Sequence, residues 1–125
     1  MKTLIALAAL LLTACSPVPP QLATGPEVDA AWTDVTACYA VAGYSVGQTG
    51  QPSIIVRDDC QQIRDHLEFV GADGALHPGQ AWTHRGLIEV CPDYPPDLLR
   101  HEMSHVASYA AGLGDGENSS GVCWL

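Results

Sequence analysis

The chain has 125 residues, which is enough for one domain and leaves no room for a second of ordinary size. Its formal net charge of −9 argues against a nucleic-acid-binding surface and against electrostatic attraction to anionic lipids. Any attachment to a membrane must therefore come from an apolar group.

The N-terminus has the pattern of a secretory signal. An apolar run extends from Leu4 to Leu12, and it is shorter than the roughly 20 residues that a membrane-spanning helix needs. The run ends in Leu-Thr-Ala-Cys, which resembles the lipobox of bacterial lipoproteins. The resemblance implies that residues 1–14 are a signal peptide and that Cys15 is lipidated. Because Ser16 follows the cysteine, it also implies an envelope protein of the outer membrane that faces the periplasm in a Gram-negative host.

The residues after the signal divide into a tether and a domain. Residues 15–26 are rich in Pro, Ser and Gly and have no apolar period, which predicts a tether. The folded domain is predicted over residues 27–125. Apart from Cys15 the chain has four cysteines, and an even number in an exported chain predicts two disulfide bonds. The sequence leaves three pairings open among Cys38, Cys60, Cys91 and Cys123.

Apolar periodicity predicts helices and strands in alternation. The predicted helices cover Glu27–Ala42, Asp58–Val70 and about Asp97–Ala111, and Asp58 or Asp59 caps the second one. The predicted strands cover Ser53–Arg57 and Trp82–Val90, with a loop over Gly71–Gly79 between the second helix and the second strand. This order predicts an α+β fold in which a small sheet packs against the first and last helices.

The last helix carries the sequence His-Glu-Met-Ser-His, from His101 to His105. Residues four apart share one helix face, so the two imidazoles can reach one metal ion, and imidazole suits Zn²⁺. Glu102 is turned by about 100° from His101, which places it to take a proton from a water rather than to bind the ion. The spacing predicts zinc held by His101 and His105, with Glu102 as the general base.

This helix resembles the active-site helix of the zincin metallopeptidases. The match consists of the absence of proline between the histidines and of uncharged residues at five positions in and around the motif: Leu99, Met103, Ser104, Val106 and Ala107. The resemblance covers about residues 83–117 and implies a zinc-dependent enzyme that hydrolyses peptide bonds in peptide or protein substrates. It also implies that the strand just upstream, Gly86–Val90, is the edge strand that pairs with extended substrate.

The motif itself supplies only two metal ligands. The longer zincin pattern HExxHxxGxxH is absent, because Ser108 stands at the glycine position and no histidine follows His105. The Gly-rich segment after the helix can turn the chain back toward the histidines, and Asp115 and Glu117 are its oxygen donors. We expect Glu117 to be the third ligand because it has the longer side chain and the longer return path, with Asp115 as the alternative.

The remaining histidines and two tyrosines have no assigned role. His66 and His77 are predicted to face solvent, whereas His84, Tyr94 and Tyr109 are candidates for a group that stabilises an oxyanion.

The alternative to an enzyme is a non-enzymatic envelope lipoprotein with a structural or degenerate zinc site. A closed site with four protein ligands, or a failure to bind zinc, would indicate that alternative.

Overall fold

A computed structural model of the chain describes residues 20–46, 50–69, 77–114 and 123. Three helices and four strands alternate within these ranges. The helices are α1 (Pro26–Val41), α2 (Cys60–Phe69) and α3 (Pro96–Ala110). The strands are β1 (Gln21–Leu22), β2 (Ser53–Val56), β3 (Gly79–Trp82) and β4 (Leu87–Val90). The α+β class predicted from the apolar pattern is confirmed.

The end of the predicted tether is part of the sheet. Gln21 pairs with Val56 across an antiparallel ladder, and the Ala23 amide donates to the Ile54 carbonyl at 2.9 Å. The last part of the predicted tether, residues 21–23, is thus paired with the backbone of β2. Cys15 and the predicted signal peptide lie outside the described residues. Within the described residues, no helix is long and apolar enough to cross a membrane.

The four strands have the order β1-β2-β4-β3, with β2 and β4 parallel and both outer pairs antiparallel. The single strand predicted over Trp82–Val90 is wrong, because a 3₁₀ turn at Thr83–Arg85 separates β3 from β4. Gly86 ends that turn with a φ of 58°, in the left-handed region that favours glycine. The expected edge strand at Gly86–Val90 is also wrong, since β4 is paired on both sides and β3 is the edge.

The main core lies between one face of the sheet and the helices α1 and α3. Each helix presents apolar residues three or four positions apart to the strands, as the sequence predicts. The side chains at the centre of this core are fully or almost fully buried: Val35 and Tyr39 on α1, Ile54 and Ile88 on the strands, and Met103 and Val106 on α3. The packing fixes α3 beside the β3 edge.

The opposite face of the sheet is covered by α2. Glu89 points to this face and is buried, with its carboxylate accepting a hydrogen bond from Arg57 Nε at 3.0 Å. His66 Nδ1 lies 2.8 Å from the same carboxylate oxygen while 48% of its side chain stays exposed. The prediction that His66 faces solvent is therefore incomplete. A buried carboxylate is tolerated here because a guanidinium compensates its charge.

Both disulfides that the cysteine count predicts are present, pairing Cys38 with Cys123 and Cys60 with Cys91. The first joins α1 to the C-terminal region of the chain. The Ser104 hydroxyl donates to the Cys123 carbonyl at 3.0 Å, and the Tyr39 hydroxyl donates to the Ser104 carbonyl at 3.1 Å. These bonds attach Cys123 to the middle of α3.

Removing the two disulfides should have unequal effects on stability. The Cys38–Cys123 bridge closes a separation of 85 residues and the Cys60–Cys91 bridge one of 31 residues. Loop-closure entropy then predicts losses in the free energy of unfolding of about 4–5 and about 3–4 kcal/mol for the two double alanine variants. Urea denaturation of both variants measures the difference. A larger loss from Cys60→Ala/Cys91→Ala would contradict the prediction.

Candidate metal-binding and catalytic site

The helix α3 has sharp limits that fix its position beside β3. Pro96 is its first residue, where the missing amide costs nothing, and Pro95 before it is extended. At the other end Gly112 has a φ of 80°, and the Leu113 amide donates back to the Ser108 carbonyl at 3.0 Å. The chain therefore turns back after α3, as its glycines predict.

His101 and His105 lie next to each other on α3. Their ring centroids are 5.0 Å apart and their planes are inclined by 87°. Both side chains are partly buried, so the pair lies at the surface of the domain rather than in its core. The two imidazoles therefore share one face of α3, as the i, i+4 spacing predicts, and zinc binding by this pair stays a prediction.

Glu102 points toward the β3 edge and is only 6% exposed. A side chain at Gly79 would place its Cβ 3.3 Å from Glu102 Oε1, so the strand and the carboxylate are in close contact. Burial raises the pKa of the Glu102 carboxyl. That rise is opposed by the charge of His105, by a hydrogen bond from the Ala81 amide and by the charge of His77.

His77 belongs to this neighbourhood, although the sequence predicts it to be a surface residue. Its imidazole is near enough to Glu102 to favour the charged carboxylate, and it is partly buried. Its backbone is held in place because the Cys91 amide donates to the Pro78 carbonyl at 2.9 Å. The sequence does not reveal this proximity to Glu102, because it depends on β3 lying along α3. In sequence, His77 stands two residues before β3, and that position alone did not indicate the contact.

The three oxyanion candidates lie in two different places. His84 packs edge-to-face on Tyr109, with ring centroids 4.6 Å apart, and Tyr109 is one turn past His105 on α3. Tyr94 instead lines a cavity of about 720 Å³ beside β1 and the start of α1. The structure therefore brings His84 and Tyr109 to the His105 side of α3 and places Tyr94 elsewhere.

The expected third ligands, Asp115 and Glu117, lie outside the described residues. Across the ranges that are described, no three His, Cys, Asp or Glu side chains form a group that could hold a metal ion. The described chain stops at Gly114 after the turn that ends α3 and is described again at Cys123, beside Ser104.

Comparison with protein-family models, with curated proteins and with solved structures gives no match to this chain. A function for the site has to be inferred from its own residues.

Substituting Gly79 tests the contact between β3 and the Glu102 carboxylate. An alanine Cβ at this position would lie 3.0 Å from Leu98 Cδ2 as well as 3.3 Å from Glu102 Oε1. Because both neighbours must shift, we expect Gly79→Ala to lower the free energy of unfolding by about 1–2 kcal/mol. Gly50→Ala is the matched control, since an added Cβ there meets nothing within 4 Å. Equal urea midpoints for the two variants would refute the close contact.

Proposed function

We propose that this chain is a zinc-dependent hydrolase of peptide bonds, tethered to the cell envelope by a lipid on Cys15. One observation supports it most: two neighbouring imidazoles share a face of α3, and the carboxylate between them in sequence is buried against an edge strand. This arrangement combines a metal-ligand pair, His101 and His105, with a base, Glu102. The zincin-like helix motif in the sequence supports the same proposal.

The division of roles follows from where the side chains point. A zinc ion held by His101, His105 and a third ligand would polarise the substrate carbonyl and make a water more acidic. Glu102 accepts the proton of the attacking water and can return it to the leaving amine. Burial suits this role, because it raises the pKa of the carboxyl and thereby makes the carboxylate a stronger base.

The edge strand suggests how a substrate would bind. Among the described residues β3 pairs with β4 alone, so its outer side could add an extended peptide as a further strand. On this strand the Ala81 amide is already bonded to Glu102 and the Ala81 carbonyl accepts from Gln80 Nε2 at 2.9 Å, so a substrate strand would have to displace the Gln80 side chain to reach that carbonyl. A peptide bound along β3 would cross α3 beside His101 and His105, and this supports peptide bonds as the target.

Glu117 remains our proposal for the third ligand, with Asp115 as the alternative. Asp115 follows directly after Gly114, the last described residue of the turn that reverses the chain after α3, and Glu117 follows two residues later. The chain must then reach Cys123 beside Ser104, which is adjacent to His105 in sequence. Glu117 lies further along this return path than Asp115, and its longer side chain extends its reach.

Replacing Glu102 by glutamine should separate hydrolysis from zinc binding. Glutamine keeps an oxygen that can accept from the Ala81 amide but loses the basic carboxylate. We expect Glu102→Gln to fold and to carry about one zinc per chain, while peptide hydrolysis falls by at least ~10²-fold. Metal analysis and cleavage of a fluorogenic peptide library measure the two effects. His101→Ala should lose the zinc itself.

Glu27→Gln is the control for this variant, because it removes one exposed carboxylate from α1 and should leave hydrolysis unchanged. Undiminished cleavage by Glu102→Gln would disprove the assigned base. A wild-type protein that holds zinc in a closed four-ligand site and cleaves nothing in the library would point to the non-enzymatic envelope protein.

Single alanine substitutions should identify the third ligand. If Glu117 binds the metal, Glu117→Ala should weaken zinc affinity by more than about tenfold, whereas Asp115→Ala should change it little. Competition with a fluorescent zinc chelator measures both affinities under the same conditions. The reverse ranking would assign the role to Asp115, and two negligible effects would exclude both residues.

A further inference from the structure

The 3₁₀ turn Thr83–Arg85, which follows the edge strand, has two basic residues that are adjacent in sequence and lie at the surface. His84 and Arg85 are both exposed, and the turn packs against α3. The turn is held at its end by Gly86, whose amide donates to the Thr83 carbonyl and whose carbonyl accepts from the Ser53 amide at 2.9 Å. Its two basic side chains therefore project from a fixed backbone.

This turn, called the basic turn below for His84 and Arg85, lies beside the candidate site. The His84 ring packs on Tyr109 with a centroid distance of 4.6 Å. Tyr109 follows His105 by one turn of α3, which corresponds to about 6 Å along the helix axis. An extended peptide advances about 3.3 Å per residue. By these lengths the His84 ring is about two peptide residues away from His105.

Arg85 differs from the other arginines of the described chain. Arg57 binds Glu89, Arg100 binds Asp34, and Arg64 also has an interaction partner. In the part of the chain that the structure describes, the Arg85 side chain has neither an ion pair nor a hydrogen bond. A chain with a net charge of −9 offers many carboxylates, so an unpaired guanidinium beside the site is available to an external anion.

We propose that His84 and Arg85 recognise a carboxylate of the peptide substrate, about two residues from the bond that is cleaved. The inference rests on the proposed hydrolase function. A guanidinium matches a carboxylate through paired N–H donors, and the neighbouring imidazole adds a further donor. The carboxylate is either the C-terminus of the peptide or an Asp or Glu side chain. Because both basic groups are exposed, salt screens the attraction and the preference is moderate.

Three zinc-chelating probes of equal length test the proposal without requiring turnover. They are succinyl hydroxamates of glutamine amide, which is neutral; of glutamate amide, with a side-chain carboxylate; and of glutamine, with a terminal carboxylate. Titration calorimetry with the zinc-loaded protein at low ionic strength measures their affinities. We expect at least one charged probe to bind about 3–10-fold more tightly than the neutral one, and the preferred probe identifies the source of the carboxylate.

Three variants assign the preference to the basic turn. Arg85→Gln should abolish it while leaving the affinity for the neutral probe unchanged, and Arg85→Lys should retain most of it. Arg64→Gln makes the same change of charge on α2, on the other face of the sheet, and should keep the full preference. High salt should remove the preference in the wild-type protein.

The outcomes also separate this inference from the proposed function. Equal affinities for all three probes in a zinc-loaded protein would overturn carboxylate recognition and leave the hydrolase proposal standing. A preference that survives Arg85→Gln would overturn the role of the basic turn. Absence of zinc binding, measured independently on the purified protein, would overturn the proposed function together with this inference.

Discussion

Burying a carboxylate costs several kcal/mol of hydration free energy, and other groups must offset this cost through hydrogen bonds or opposite charge. Glu102 is in this position between α3 and β3, where the Ala81 amide and two nearby histidines, His77 and His105, compensate for burial. The contact also requires small side chains on β3, and the residues of β3 that face the helix are Gly79 and the buried Ala81. The candidate site exists because the edge strand and α3 approach each other this closely.

The helix α3 has three faces, and each one lies in a different environment. Its apolar face, with Met103 and Val106, packs in the core. Its small polar face carries Ser104, which is fully buried and bonded to the Cys123 carbonyl. The third face carries His101 and His105. Because two of the three faces are fixed by packing and by a disulfide-linked segment, α3 has little freedom to rotate, and the two imidazoles keep a fixed position relative to the sheet.

The helices were predictable because each has a long apolar period and local end signals. The Asp59 side chain caps α2 by accepting from the Gln62 amide at 3.1 Å, as the sequence predicts. The strand β3 was not predictable. Gly79, Gln80 and Ala81 have low intrinsic strand preference, and they form a strand because β4 pairs with them and α3 covers them.

Within the candidate site, the local motif could be found from sequence, whereas of the neighbouring histidines His84 was a candidate and His77 was not. His101, Glu102 and His105 are related by helix geometry alone, so their spacing predicts their arrangement. His77 and His84 are brought to α3 by the two ends of β3, a strand that the sequence does not reveal. The disulfide pairing is equally a tertiary property, because it depends on which elements meet.

The pairing of β1 with β2 has a consequence for how the domain would stand above a bilayer. If Cys15 carries the lipid, only about six residue steps separate it from Gln21, a reach of at most about 20 Å. The anchored strand β1 and the strand β3 are opposite edges of the sheet, three strand spacings or about 14 Å apart. The short linker would thus attach the domain to the bilayer at the β1 edge. The β3 edge, beside His101 and His105, would then face soluble proteins rather than the lipid surface.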